Sequence, residues 1–141
     1  MAENHGVWRS IRERDDINVR VAQLPDEVGG GVLVRRGDRV WILLDAGRPA
    51  HERRAILAHE LEHLARGSMR FDGSPPTWDA VVAREEQRVD RAVARRLVPL
   101  EQLRAFVAAR SSMDEPVTAG CVADAFDVPV WVARMACELA A

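Results

Sequence analysis

Between Ala55 and Gly67 the chain reads AILAHELEHLARG, and that stretch restricts the fold more than any other. Ala55, Ile56, Ala58, Leu61, Leu64 and Ala65 recur at helical spacing up to Gly67, and Pro49 suits a first helical position, so the run predicts a helix. Inside it stand His59, Glu60 and His63, in the order H-E-x-x-H. Residues four apart lie one turn above each other, so the two imidazoles point the same way and can meet at one ion. Glu60 projects about 100° round from His59, where it can flank such an ion without binding it. A catalytic zinc takes three protein ligands and one water, so the motif demands a third ligand from another part of the chain.

A second helix predicted from about Thr77 to Leu97, ending near Pro99, supplies that ligand. Glu86 and Asp90 are themselves four apart and share a stripe with Val82, Val93 and Leu97. An otherwise apolar stripe faces inward, and two inward carboxylates are costly unless a cation or hydrogen-bond donors compensate them. Glu86 is therefore the expected third ligand, and Asp90 the acceptor for the free ring N–H of a ligating histidine. Glu85 points elsewhere and is the alternative ligand. The breaker-rich stretch GSMRFDGSPP, Gly67 to Pro76, reads as a loop between the two helices.

Before these helices the pattern has the period of a strand. GVLVRR (Gly31 to Arg36) and RVWILL (Arg39 to Leu44) flank the turn signal Gly37-Asp38 and predict a hairpin, with a third strand at INVRVAQL, Ile17 to Leu24. Gly29, Gly30 and Gly31 allow a tight reversal or bulge. After Pro99 come a short helix, LEQLRAFVAAR, and a helical pair, AGCVADAF and PVWVARMACELA, broken around Asp127 and Pro129. Strands followed by helices predict an α+β fold, a small antiparallel sheet of about three strands against helices. At 141 residues one domain is expected, divided as an N-terminal segment 1–16, a sheet 17–47, the two site helices 49–98 and C-terminal helices 99–141.

Composition excludes several functions. A formal charge of −2 provides no global basic field for nucleic acid. Val122 to Leu139 has the spacing of a helix-turn-helix, but Arg134 is nearly alone there, and Asp124, Asp127 and Glu138 have the wrong sign for phosphates. Arg84, Arg88, Arg91 and Arg95 read as the solvated side of the Glu86 helix. No apolar run reaches the roughly 20 residues of a membrane span, and the N-terminus lacks the apolar core of a secretory signal, so a cytoplasmic protein is expected. Two cysteines, Cys121 and Cys137, make no disulfide framework and are expected in the core. Trp8, Trp41, Trp78 and Trp131 are expected to cover the core or sheet, with Trp78 placed to line a cleft.

AILAHELEHLARG followed by EEQRVDRAVARRLVP resembles the ImmA/IrrE family of zinc metallopeptidases, whose H-E-x-x-H helix is followed by one of the form E-x-x-A-[ND]-x-F-A-x-x-L-L-x-P. Glu86, Val89, Asp90, Leu97 and Pro99 fall in register with it, and the likeness runs roughly from Ile17 to Arg110. Glu62, where many members have glycine, Val89, Ala92 and Arg96 depart from the pattern. The resemblance implies a zincin-like fold, one Zn²⁺ on His59, His63 and Glu86, and peptide-bond hydrolysis with Glu60 as general base. It further implies limited proteolysis of a helix-turn-helix repressor of phage or stress-response type. With no tyrosine in the chain, His51, His5 or an arginine would have to stabilise the oxyanion. The alternative is a catalytically inactive, metal-stabilised regulatory module that binds a repressor or DNA, and a third reading is a structural protein without metal. A His-His-Glu site also accepts manganese, iron or cobalt.

Overall fold

In a computed structural model, residues 6–67 and 79–141 are described. His5, Trp78, nearly all of the expected 67–76 loop and the expected helix start at Thr77 lie outside them. Among the described residues the fold is α+β, with three strands and six helices: α1 (Gly6–Arg12), β1 (Ile17–Ala22), β2 (Gly31–Arg36), β3 (Arg39–Asp45), α2 (Ala50–Arg66), α3 (Asp79–Leu97), α4 (Leu100–Ser112), α5 (Ala119–Phe126) and α6 (Val130–Ala140). No helix among them is long and apolar enough to cross a membrane.

The hairpin forms as its turn chemistry dictates: Arg36 pairs with Arg39 around Gly37, whose φ of 61° is the left-handed conformation glycine tolerates. The sheet, however, is mixed rather than antiparallel. Its order is β1-β3-β2, and β1 runs parallel to β3. Residues 23–30 carry the chain across the C-terminal end of β3, so β1 and β2 become the two edges instead of neighbours. Hydrogen bonds pin that crossing: Asp45 N–H to the Gly30 carbonyl at 2.9 Å, Ala46 N–H to the Ala22 carbonyl at 2.8 Å, and Leu24 N–H to Asp45 Oδ1 at 3.4 Å.

Alternation along β3 buries Val40, Ile42 and Leu44, and α2 lies over that face through Ala55, Leu57 and Ala58. The glycines at the start of β2 set how closely the helix approaches. A Cβ on Gly31 would stand 2.4 Å from Ile56 Cγ2, and one on Gly30 2.9 Å from Ile56 Cδ1, so a side chain at either position would force Ile56 to move. Helix α2 ends at Gly67, in the left-handed region at φ 66°, with its N–H on the His63 and Leu64 carbonyls.

The core continues from Leu57 and Leu61 into Val89, Val93, Ala94 and Leu97 of α3, then into Val122, Phe126, Val132 and Ala136 of the α5–α6 hairpin. Arg54 of α2 ties that hairpin down, bonding the Asp127 carbonyl at 2.9 Å and its carboxylate at 3.2 Å. Helix α1 is an element that the sequence pattern did not predict. It buries Val7 and Ile11, one turn apart, and Arg96 of α3 reaches its Ser10 at 3.1 Å. Cys121 and Cys137 are half-buried rather than core residues, and Trp131 is 38% exposed.

Candidate metal centre

Helices α2 and α3 run antiparallel, with His59 level with Asp90 and His63 level with Glu86. His59 Nε2 lies 3.1 Å from Glu86 Oε2, His63 Nε2 lies 3.1 Å from Glu86 Oε1, and the two Nε2 atoms are 3.1 Å apart. These donor atoms form a compact group of the kind that holds a metal ion. Donors about 2.0–2.1 Å from a tetrahedral ion stand roughly 3.3 Å from one another, so the spacing fits a single small divalent cation.

The surroundings favour that use. His63 is fully buried, and its ring meets that of His59 edge-on at 4.7 Å between centroids. On the far side of His59, Nδ1 is 3.0 Å from Asp90 Oδ1. A carboxylate there fixes the proton on Nδ1 and turns the Nε2 lone pair inward, towards Glu86 and His63. Burial works against the imidazolium form of His59. The Asp90 hydrogen bond and the charges of Glu86, Glu60 and Asp90 outweigh it, so its pKa is raised above the ordinary 6.5. The cluster thus attracts positive charge, whether a proton or a metal.

Glu60 is buried at 4% exposure, on the side of α2 that faces the start of β2, with Oε1 3.9 Å from the Cβ position at Gly31. It stands beside the histidine–glutamate group without belonging to it. Glu85, the alternative ligand, turns away: Arg66 at the end of α2 grips it through Nε at 2.6 Å and Nη2 at 3.4 Å. That fork holds the Glu85 carboxylate below its ordinary pKa. Glu62 also faces Arg66, at 3.8 Å, rather than the histidines. His51 lies in the first turn of α2, about 12 Å of axial rise from His59, and is not in the cluster.

Val82, assigned from periodicity to the buried stripe, is 41% exposed. The register explains it. Glu86 is level with His63 and Asp90 with His59, so Val82 is level with the end of α2 and has no turn of that helix to pack against. One contribution was invisible in the sequence: Trp131, Arg134, Met135 and Glu138 of α6 join Asp90 in lining a cavity of about 350 Å³. Helix α6 thus borders α3 beside Asp90, with Trp131, Arg134 and Glu138 still exposed. No family model matches the chain, and neither the curated proteins nor the solved structures contain a match.

Proposed function

We propose that this chain is a metal-dependent peptidase of the ImmA/IrrE type with a zincin-like fold, its ion held by His59, His63 and Glu86. The observation that carries the reading is the convergence of both imidazoles and one carboxylate from separate helices, with Asp90 on the back of His59. A bound divalent ion supplies Lewis acidity, which acidifies a water and polarises a scissile carbonyl.

The chain's own groups do the rest. Glu60 would accept the proton of the attacking water and return it to the departing amine, a role supported by its burial next to the His59 and His63 helix face. Asp90 holds the His59 ring in the tautomer that turns Nε2 to the ion. Among the described residues β2 pairs only with β3, which leaves its other edge unpaired by them beside Glu60 and Gly31. An extended peptide adding to that edge brings its carbonyls past Glu60. The substrate class proposed is a helix-turn-helix repressor of phage or stress-response type, on the strength of the motif resemblance, and the setting is the cytoplasm.

Metal content and cleavage of a repressor encoded beside this chain test the reading in wild type, Glu86→Ala and Glu60→Gln. Expected are a stoichiometric divalent metal in wild type, loss of metal in Glu86→Ala, and retained metal without cleavage in Glu60→Gln. Full metal occupancy in Glu86→Ala removes Glu86 from the ligand set. Undiminished cleavage by Glu60→Gln removes the general base.

A further inference from the structure

A solvated sheet face ordinarily carries polar residues, alternating with the apolar ones that face the core. Here the outward positions break that rule. With Val40, Ile42 and Leu44 directed inward, β3 directs Arg39, Trp41 and Leu43 to the other side. The register sets Val34 beside Trp41, Val32 beside Leu43 and Arg36 beside Arg39, while β1 adds Asn18 next to Trp41 and Arg20 next to Leu43. Val32, Val34, Trp41 and Leu43 therefore form one contiguous apolar patch. None of the four belongs to the hydrophobic core or packs against it, and Val34 is 39% exposed.

The rim of this patch is basic. Arg20, Arg36 and Arg39 are all exposed, and Arg20 reaches over the Trp41 ring with its guanidinium carbon 5.6 Å from the centroid. Asp45, at the far end of β3, is engaged with Arg48 and with the N–H groups of Leu24 and Gly47. Asp38, in the turn, and Asp16, which stands level with Arg39 just before β1, are further acids near the patch, and Asp16 is paired with Arg14 at 2.7 Å. The face offers apolar area at its centre and excess positive charge around it.

We infer that the outer face of the sheet, centred on Val32, Val34, Trp41 and Leu43 and bordered by Arg20, Arg36 and Arg39, docks an acidic amphipathic helix of a partner protein. A helix laid on a sheet is a standard way to bury an apolar sheet face. Carboxylates flanking its apolar ridge complement the three arginines. A second copy of this chain would bring the same arginines against each other around a two-fold axis. Nucleic acid calls for stacking surfaces, and three of the four central side chains are aliphatic. The inference is independent of the metal centre, which lies on the opposite side of the sheet with α2.

The test uses the full chain and two synthetic helical peptides of about 20 residues, both with leucines at i, i+3, i+4 and i+7. One has glutamates on the flanks, the other lysines, and binding is read by fluorescence anisotropy of the labelled peptide. The glutamate peptide is expected to bind at least about tenfold more tightly than the lysine peptide, and to weaken as salt is raised. Val34→Asp abolishes that binding. Arg39→Glu, at an exposed position that does not threaten folding, lowers affinity for the glutamate peptide and raises it for the lysine peptide. Equal binding of both peptides, or binding of neither, overturns the inference. So does an Arg39→Glu variant that keeps the wild-type preference. Self-association abolished by Val34→Asp assigns the face to a second copy, and capture on anionic phosphatidylserine vesicles with no peptide binding assigns it to membrane; either result also overturns it.

Discussion

Replacing Asp90 tests the centre through a residue that does not belong to the ligand group itself. Asp90 Oδ1 sits 3.0 Å from His59 Nδ1, and removing such a carboxylate from behind a ligating histidine costs typically 10–100-fold in metal affinity. Asp90→Ala removes the acceptor and belongs at the upper end of that range, equivalent to about 1.4–2.8 kcal/mol over the whole of it. Asp90→Asn keeps an oxygen that can accept from Nδ1–H but removes its charge. Charge-assisted hydrogen bonds are roughly twice as strong as neutral ones, so about tenfold is expected for the amide. The loss also depends on pH, because Asp90 stabilises a proton on His59 as well as a metal. At high pH, where His59 is neutral, the whole loss is visible. As pH falls towards the raised pKa of His59, wild type suffers growing competition from protons that Asp90→Ala suffers less, so the gap between them narrows. Zinc titration against a competing chelator at pH 6 and pH 8, with wild type alongside, measures both effects. An Asp90→Ala variant that binds zinc within twofold of wild type at pH 8 refutes the orienting role, and a gap that widens on acidification refutes the proton-competition argument.

Further outcomes follow from the same geometry. In the metal-free protein the raised His59 pKa contributes stability that is present below about 6.5 and lost as pH rises through the folded-state value; zinc affinity rises across the same window. Thermal melts with and without zinc should therefore separate progressively on going from acid to neutral pH, and curves that stay parallel would contradict this. Arg66→Ala and Glu85→Ala should each weaken zinc binding a few-fold, and the double variant should lose no more than either single one because the two side chains act as one fork. Additive single effects would mean that the fork does not orient α3. Gly31→Ala should cost about 1–3 kcal/mol in chemical denaturation through its 2.4 Å clash with Ile56, and Ile56→Ala in the same chain should recover part of that loss. No recovery would place the strain elsewhere.

What the sequence made legible, and what it concealed, divides along the range of the forces involved. His59 and His63 share a face because helical pitch alone decides it, and Glu86 and Asp90 do so for the same reason. The hairpin followed from Gly37-Asp38 between two apolar runs. That the pairs meet needed only the further premise that two inward carboxylates require a cation, whereas the order, His59 to Asp90 and His63 to Glu86, is set by the antiparallel register of the two helices and had no signature in the sequence. The parallel pairing of β1 with β3 had no local signature, since residues 23–30 could return beside β1 or cross the end of β3 with the same composition. Helix α1 went unseen because Val7 and Ile11 are a single helical step, too short for a period to emerge. Val82 was misplaced for a related reason: periodicity identifies the face of a helix but not how far along it a neighbour extends. The outer sheet face is the opposite case, because its alternation was plainly apolar on both sides in Val32, Leu33 and Val34 and in Trp41, Ile42 and Leu43. Such a run reads as a strand buried on both faces, and one of those faces has no cover from the described helices. The pattern that predicted strands there is thus consistent with the docking face inferred above.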